Sequence, residues 1–167
     1  NHDVAVKMMV DQDMTPEFKR ELKVLEELQS PHIVRFLGAS HVPGRLAVVS
    51  EFLEYGSLLS AVEKGGVPLV LKLKCLLDCA KGMQFLHSKN IVHRDLKPDN
   101  LLMASMDPEK PVCCKITDFG TTRTVGALQD GGMTVGVGTP VYMAPEVLSG
   151  SHYDASCDVY SYSLIVW

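Results

Sequence analysis

Asp95, Lys97 and Asn100 fall within the segment His93-Arg94-Asp95-Leu96-Lys97-Pro98-Asp99-Asn100, and Asp118-Phe119-Gly120 and Ala144-Pro145-Glu146 follow it in order. An ionised acid can take the proton of a hydroxyl. Carboxylate and amide oxygens suit a hard cation such as Mg2+, and lysines neutralise anionic oxygens. Moving a phosphoryl group needs all three services, because positioning and electrostatics supply most of its catalysis. Each short piece is common alone, but the ordered set arises by chance far less often than any one member.

The elements that must position these residues are legible from pattern. Val4–Met9 is short and apolar and ends at Asp11-Gln12-Asp13, which predicts a buried strand. Thr15-Pro16 is a helix start, with Thr15 as N-cap and Pro16 in the first position. Phe18, Leu22, Leu25 and Leu28 recur at helical spacing and predict a helix from Pro16 to Gln29, stopped by Ser30-Pro31. Strands are predicted over Ile33–Ala39 and Leu46–Phe52, with a turn at Pro43-Gly44. A short helix over Ser57–Val62 and a long one over Leu69–Ser88 follow, the latter with Leu73, Leu76, Leu77, Ala80 and Leu86 as its apolar stripe. Ile91 to Asp118 reads as two short hairpin-like pieces, with the polar insert Ala104–Pro111 as an exposed loop. Gly120 to Pro145 is rich in Gly and Thr and lacks an apolar period, so a mobile segment is expected.

Composition narrows the function classes. With 46 % hydrophobic and 22 % charged residues, 167 residues are ordinary globular material. A net charge of −4 without basic runs gives nucleic acid no electrostatic footprint. No apolar run approaches the roughly 20 residues of a membrane span. The five cysteines lack metal-ligand spacing or a disulfide framework; they read as small core residues of a protein in a reducing compartment, and a cytoplasmic location is expected.

Taken with Val4-Ala5-Val6-Lys7, these motifs resemble a protein kinase catalytic domain, and the resemblance runs nearly end to end. Val4–Lys7 resembles the family's lysine strand, and Tyr160–Trp167 resembles the start of its long central helix. The resemblance implies an α+β, bilobal fold truncated at both ends: an incomplete small lobe over residues 1–50, a hinge over 51–56 and an incomplete, mainly helical large lobe over 57–167. No stretch matches the family's glycine-rich loop. Glu146 would lack the arginine that partners it in the family, so the piece alone is expected to be poorly stable and inactive.

The resemblance also assigns roles. It implies ATP and Mg2+ as cofactors and a protein with a Ser or Thr acceptor as partner. Lys7 matches the lysine that holds the α- and β-phosphates, and Glu21 the helix glutamate that orients it, with Glu17 the competing choice one turn earlier. Asp95 matches the carboxylate that accepts or orients the substrate hydroxyl's proton, and Asp118 and Asn100 match the metal ligands; Asp99 has no catalytic part. Adenine would meet the backbone of Glu51 and Leu53, with Ser50 as gatekeeper and Ala5 and Leu102 above and below the ring. Leu25, Phe36, His93 and Phe119 would stack as a regulatory spine anchored by Asp158.

Lys97 points to Ser/Thr phosphorylation, because tyrosine kinases carry a different tripeptide there, and Thr139 stands where Ser/Thr kinases place the threonine that pairs with Asp95 and Lys97. Ile33–Gly38, Phe52–Leu58 and Asp158–Ser161 resemble the tyrosine-kinase-like group. Arg94 beside Asp95 suggests regulation through a phosphate on the activation segment, with Thr121, Thr122, Thr124 and Thr134 as candidate acceptors. The alternatives are a catalytically silent pseudokinase-like scaffold, a dual-specificity or tyrosine kinase, and a kinase of the same fold acting on a nonprotein substrate.

Overall fold

The computed structural model describes residues 3–8, 16–42, 45–124 and 138–167; the side chains of residues 16–18, 20, 21, 41 and 45 lie outside the described set. Thr15, the Pro43-Gly44 turn and Thr134 therefore fall outside it as well.

Alternating and continuous apolar runs in the first third form a three-stranded antiparallel sheet. Its strands are β1 (Val4–Met8), β2 (Phe36–Val42) and β3 (Arg45–Glu51), in the order β1-β3-β2. Central β3 buries Leu46, Ala47 and Val48. β1 departs from the expected buried strand: Val4, Val6 and Met8 are about half exposed, and among the described residues β1 pairs only with β3, at the edge of the sheet. β2 begins later than predicted. Val34 and Ile33 instead join another strand, as described below, so the ladder with β3 starts at Phe36↔Ser50.

Helix α1 (Pro16–Glu27) begins at the predicted proline and turns Leu25, with Leu28 just past its end, into the core; Lys19, Lys23, Glu26 and Glu27 stay exposed. Helix α2 (Leu58–Glu63) is N-capped by Ser57, whose Oγ accepts the Ser60 N–H at 3.2 Å. Helix α3 spans Leu69–Ser88 as predicted, but its stripe differs. Leu73 and Leu77 are 56 % and 50 % exposed, while Leu71, Cys75, Asp78, Cys79, Gly82, Met83 and Leu86 are buried. That set repeats at three- and four-residue spacing, one face of a helix. The exposed leucines are more hydrophobic than the cysteines and glycine that replace them in the core, and this misled the pattern reading.

Four short strands follow: β4 (Ile91–Val92), β5 (Leu101–Met103), β6 (Cys114–Ile116) and β7 (Arg123–Thr124). β5 and β6 form the expected hairpin around the mostly exposed 104–111 loop. β4 does not make a local hairpin; its partner is β7, beyond Asp118. Helices α4 (Pro145–Leu148) and α5 (Ser156–Val166) complete the described chain.

Two features lock β6 in place. The loop after α1 is spliced onto it: Ile116 N donates to His32 O (2.9 Å) and Val34 N donates to Ile116 O (2.8 Å). On the other side α3 approaches so closely that a Cβ on Gly82 would lie 2.7 Å from Ile116 Cδ1 and 3.1 Å from His32 O. A larger residue there would require the Ile116 side chain and the His32 carbonyl to shift.

All five cysteines are buried and free, and burial pushes the Cys79 and Cys157 thiols up to about 12, the range of inert core thiols. Asp78, fully buried on α3, is the polar centre of this core. Its Oδ1 accepts Lys74 Nζ at 2.6 Å, and its Oδ2 accepts the backbone N–H groups of Cys113 (2.7 Å) and Cys114 (3.3 Å). His32 Nδ1 stands 3.5 Å from Asp78 Oδ1, but burial, more than Asp78 opposes it, lowers the pKa of His32.

Removing the Asp78 carboxylate strands a lysine and two buried N–H groups. Asp78→Ala is expected to destabilise the domain by about 3–5 kcal/mol, read as a shift in the denaturant midpoint; Leu73→Ala on the exposed face should shift it by less than about 1 kcal/mol.

Candidate active site

A cleft of about 430 Å3 lies between the three-stranded sheet and the β5–β6 hairpin. It brings Ala5, Lys7, Ser50, Glu51, Leu53, Leu102 and Asp118 onto one surface. These residues come from β1, the end of β3, β5 and the chain just past β6, so the fold collects positions separated by more than a hundred residues. Glu21 lies on α1, but its side chain is outside the described residues.

Lys7 Nζ donates to Asp118 Oδ1 at 2.6 Å. Burial alone would raise the Asp118 pKa, but the hydrogen bond and charge of Lys7, helped by the Gly120 N–H, outweigh it and hold the carboxyl below its ordinary range. Asp118 adopts φ +63°, a conformation uncommon outside glycine, and Arg94 adopts φ +68°. Asp118 lines the cleft, Arg94 lies buried beside the Asp95 loop, and both are held by specific hydrogen bonds.

The catalytic-loop motif folds into a dense network. Asp95 Oδ1 accepts Thr139 N (2.8 Å) and Thr139 Oγ1 (2.9 Å), while Oδ2 accepts Lys97 Nζ (2.9 Å) and Asn100 Nδ2 (3.1 Å). Lys97 Nζ also donates to Thr139 Oγ1 at 2.6 Å, closing a triangle of carboxylate, ammonium and hydroxyl. With its amide nitrogen spent on Asp95, Asn100 has Oδ1 left to offer a cation. Thr139 reaches this position because Gly138, at φ +115°, precedes it; a Cβ there would lie 2.7 Å from Arg94 O.

The loop itself hangs on Asp158. This carboxylate, 1 % exposed on α5, accepts His93 N (2.9 Å), Arg94 N (2.8 Å) and His87 Nε2 (2.9 Å). His93 is clamped between one-way partners: Thr117 O can only accept from Nε2 (3.0 Å), and Asp95 N can only donate to Nδ1 (3.3 Å), which fixes the neutral Nε2–H tautomer. Its ring meets Phe119 edge-on, centroids 5.5 Å apart. Leu25 and Phe119 lie in the same core cluster, with Phe36 packed against it.

Comparison with known proteins now decides the family. The sequence profile described as "Protein kinase domain" matches residues 1–167. The chain belongs to the protein kinase domain family. Similar relatives include the probable serine/threonine-protein kinase SIS8 of Arabidopsis thaliana, 41 % identical over 99 % of this chain and 16 % of the relative. Two others from the same organism are serine/threonine-protein kinase STY46, 38 % identical over 100 % of this chain and 29 % of the relative, and serine/threonine-protein kinase CTR1, 39 % identical over 99 % and 21 %. The chain thus spans less than a third of the length of these relatives.

Within this kinase domain the structure adds residues that sequence reasoning passed over. Glu51, expected to act through its backbone, also acts through its side chain: its N–H donates to Arg35 O (3.0 Å), and its carboxylate holds Lys115 Nζ at 2.7 and 2.9 Å. Lys115 precedes Asp118 by three residues, so this pair joins the C-terminal end of β3 to the strand that leads to Asp118. Gly138 and Asp78 were likewise missed as positioning residues. Among the acceptor candidates, Thr121 Oγ1 donates to His93 O (2.9 Å), Thr122 is buried and donates to Phe119 O (2.8 Å), and Thr124 is exposed.

Two outcomes test this geometry. Lys7→Met removes the main groups that lower the Asp118 pKa, so its midpoint should move upward in a carbon-13 NMR titration of the carboxyl. In the unmutated domain the depressed pKa means that the stability contributed by ionised Asp118 is present above the ordinary carboxylate pKa and lost as pH falls through the lower, folded value. Thr139→Val, which removes the hydroxyl shared by Lys97 and Asp95, should lower the stability of the domain by about 1–3 kcal/mol, read as a shift in the denaturant midpoint.

Proposed function

We propose that this domain transfers the γ-phosphate of ATP to serine or threonine hydroxyls of protein substrates. The observation that carries this reading is the triangle of Asp95, Lys97 and Thr139 beside the Lys7–Asp118 pair. It supports a substrate hydroxyl beside Asp95, with Lys97 close enough to meet negative charge on the transferred group. The printed names of the relatives, serine/threonine-protein kinases, support the same acceptor.

In this reading the nucleotide occupies the cleft lined by Ala5, Ser50, Glu51, Leu53 and Leu102, and Lys7 holds its α- and β-phosphates. Residues 1–50 act as the small lobe, 51–56 as the hinge and 57–167 as the large lobe. Asp118 and Asn100 offer oxygen donors to Mg2+, a hard cation that is commonly held by one or two carboxylates together with substrate phosphates. Consistent with so sparse a set, no cluster of three or more His, Cys, Asp or Glu side chains suited to a metal occurs among the described residues. When bound, the ion neutralises charge on the phosphate oxygens. Asp95 orients the acceptor hydroxyl and receives its proton as the new O–P bond forms; the bond from the γ-phosphorus to the bridging oxygen breaks, and its electron pair leaves with ADP.

No helix among the described residues is long and apolar enough to cross a membrane. The five free, buried cysteines support a cytoplasmic setting.

In the full-length protein, Asp95→Asn should lower transfer from radiolabelled ATP to a generic protein substrate by a hundredfold or more, on the order of what a positioned general base supplies. Nucleotide binding should persist, and hydrolysed product should contain phosphoserine or phosphothreonine. Phosphotyrosine as the sole product, or transfer indifferent to Asp95, would overturn the proposal.

A further inference from the structure

Arg94 is 6 % exposed, and its backbone N–H and two of its three guanidinium nitrogens donate hydrogen bonds. Its N–H is held by Asp158, its carbonyl faces Gly138, its Nε donates to Thr121 O (2.5 Å) and its Nη1 donates to the hydroxyl of Tyr153 (3.0 Å). Among the described residues no Asp or Glu carboxylate pairs with its guanidinium. A buried cation without a counter-ion is costly unless neutral oxygens solvate it. Here a backbone carbonyl and a phenol do so.

Tyr153 is well placed for that service. It lies between α4 and α5, and its ring packs against the second core cluster of Val92, Met143, Ala144, Val147 and Cys157. Val92 is two residues before Arg94, and Cys157 neighbours Asp158. The phenol is therefore fixed to the same piece of core that fixes the catalytic loop, and its oxygen accepts Arg94 Nη1 directly.

We infer that Tyr153 is a positioning residue for the catalytic loop: through Arg94 it holds Asp95 in register and makes that placement independent of a phosphate on the activation segment. The inference rests on the kinase reading for its activity test, but not for its structural one. An arginine already ligated by Tyr153 and Thr121 O needs no added anion to stay in place, so phosphorylation becomes a supplement to an ordered loop. Deleting the phenol oxygen leaves Nη1 without its acceptor, and the loop then depends on whatever anion the segment supplies.

The test uses the full-length protein and its Tyr153→Phe variant, which keeps the ring and removes the oxygen, with Tyr160→Phe on the exposed side of α5 as control. Both are assayed before and after phosphatase treatment. Expected is a wild-type kcat unchanged by phosphatase, and a Tyr153→Phe kcat lowered by about tenfold once dephosphorylated, the usual order for losing a hydrogen bond to a charged group, with KM for ATP unchanged. Hydrogen exchange of the peptide covering residues 91–97 supplies a readout free of catalysis: it should quicken by about tenfold in Tyr153→Phe and not in Tyr160→Phe. Wild-type activity abolished by phosphatase, or Tyr153→Phe matching wild type in exchange, overturns the inference. If wild type transfers no phosphate at all, the proposed function fails while the exchange comparison still decides the role of Tyr153.

Discussion

Everything chemical in this domain depends on one buried carboxylate that performs no chemistry. Asp158 takes the N–H groups of two consecutive residues, His93 and Arg94, and a histidine from α3. Consecutive N–H groups aimed at one anion demand a local backbone twist, and Arg94 adopts it at φ +68°. With the backbone so pinned, Asp95 is presented to Lys97, Asn100 and Thr139 from a defined direction. Without Asp158, two buried N–H groups would be unsatisfied and the strain at Arg94 would have nothing to hold it.

The site is thus built outward from core to cleft. Asp158 sets the loop, the neutral His93 links that loop to Thr117 and meets Phe119 edge-on, and Asp118 between them turns its carboxylate toward Lys7. A similar logic governs β6. Asp78 holds the N–H groups at its start, Gly82 lets α3 press against its end, and Lys115 in its middle pairs with Glu51. The two buried carboxylates, Asp78 and Asp158, serve here as fasteners, and each accepts three hydrogen bonds, as burial requires.

How much of this could be read from residues alone depended on the range of the interaction. Helix α3 was legible to both ends, because Pro68 and the Lys89-Asn90 turn punctuate a twenty-residue apolar pattern. Its inward face was not, since Leu73 and Leu77 outrank Cys75 and Gly82 on any hydrophobic scale yet face outward. β2 was misjudged at its start because Val34 is claimed by Ile116, more than eighty residues away, a competition that no local window contains. The same holds for the site. Ordered motifs pointed to Lys7, Asp95, Asn100 and Asp118, but Asp78, the Glu51 carboxylate, Gly138 and Tyr153 owe their importance to partners that only the folded chain brings near.

The splice between the loop after α1 and β6 bears on how the cleft can open. The sheet is joined to the helical part through the chain at residues 51–56, and again where His32 and Val34 bracket Ile116 through backbone hydrogen bonds. The splice is made by main-chain groups, so it is the same whatever side chains residues 32, 34 and 116 carry, whereas the Lys7–Asp118 and Glu51–Lys115 pairs across the same boundary depend on side chains and must part for the cleft to widen.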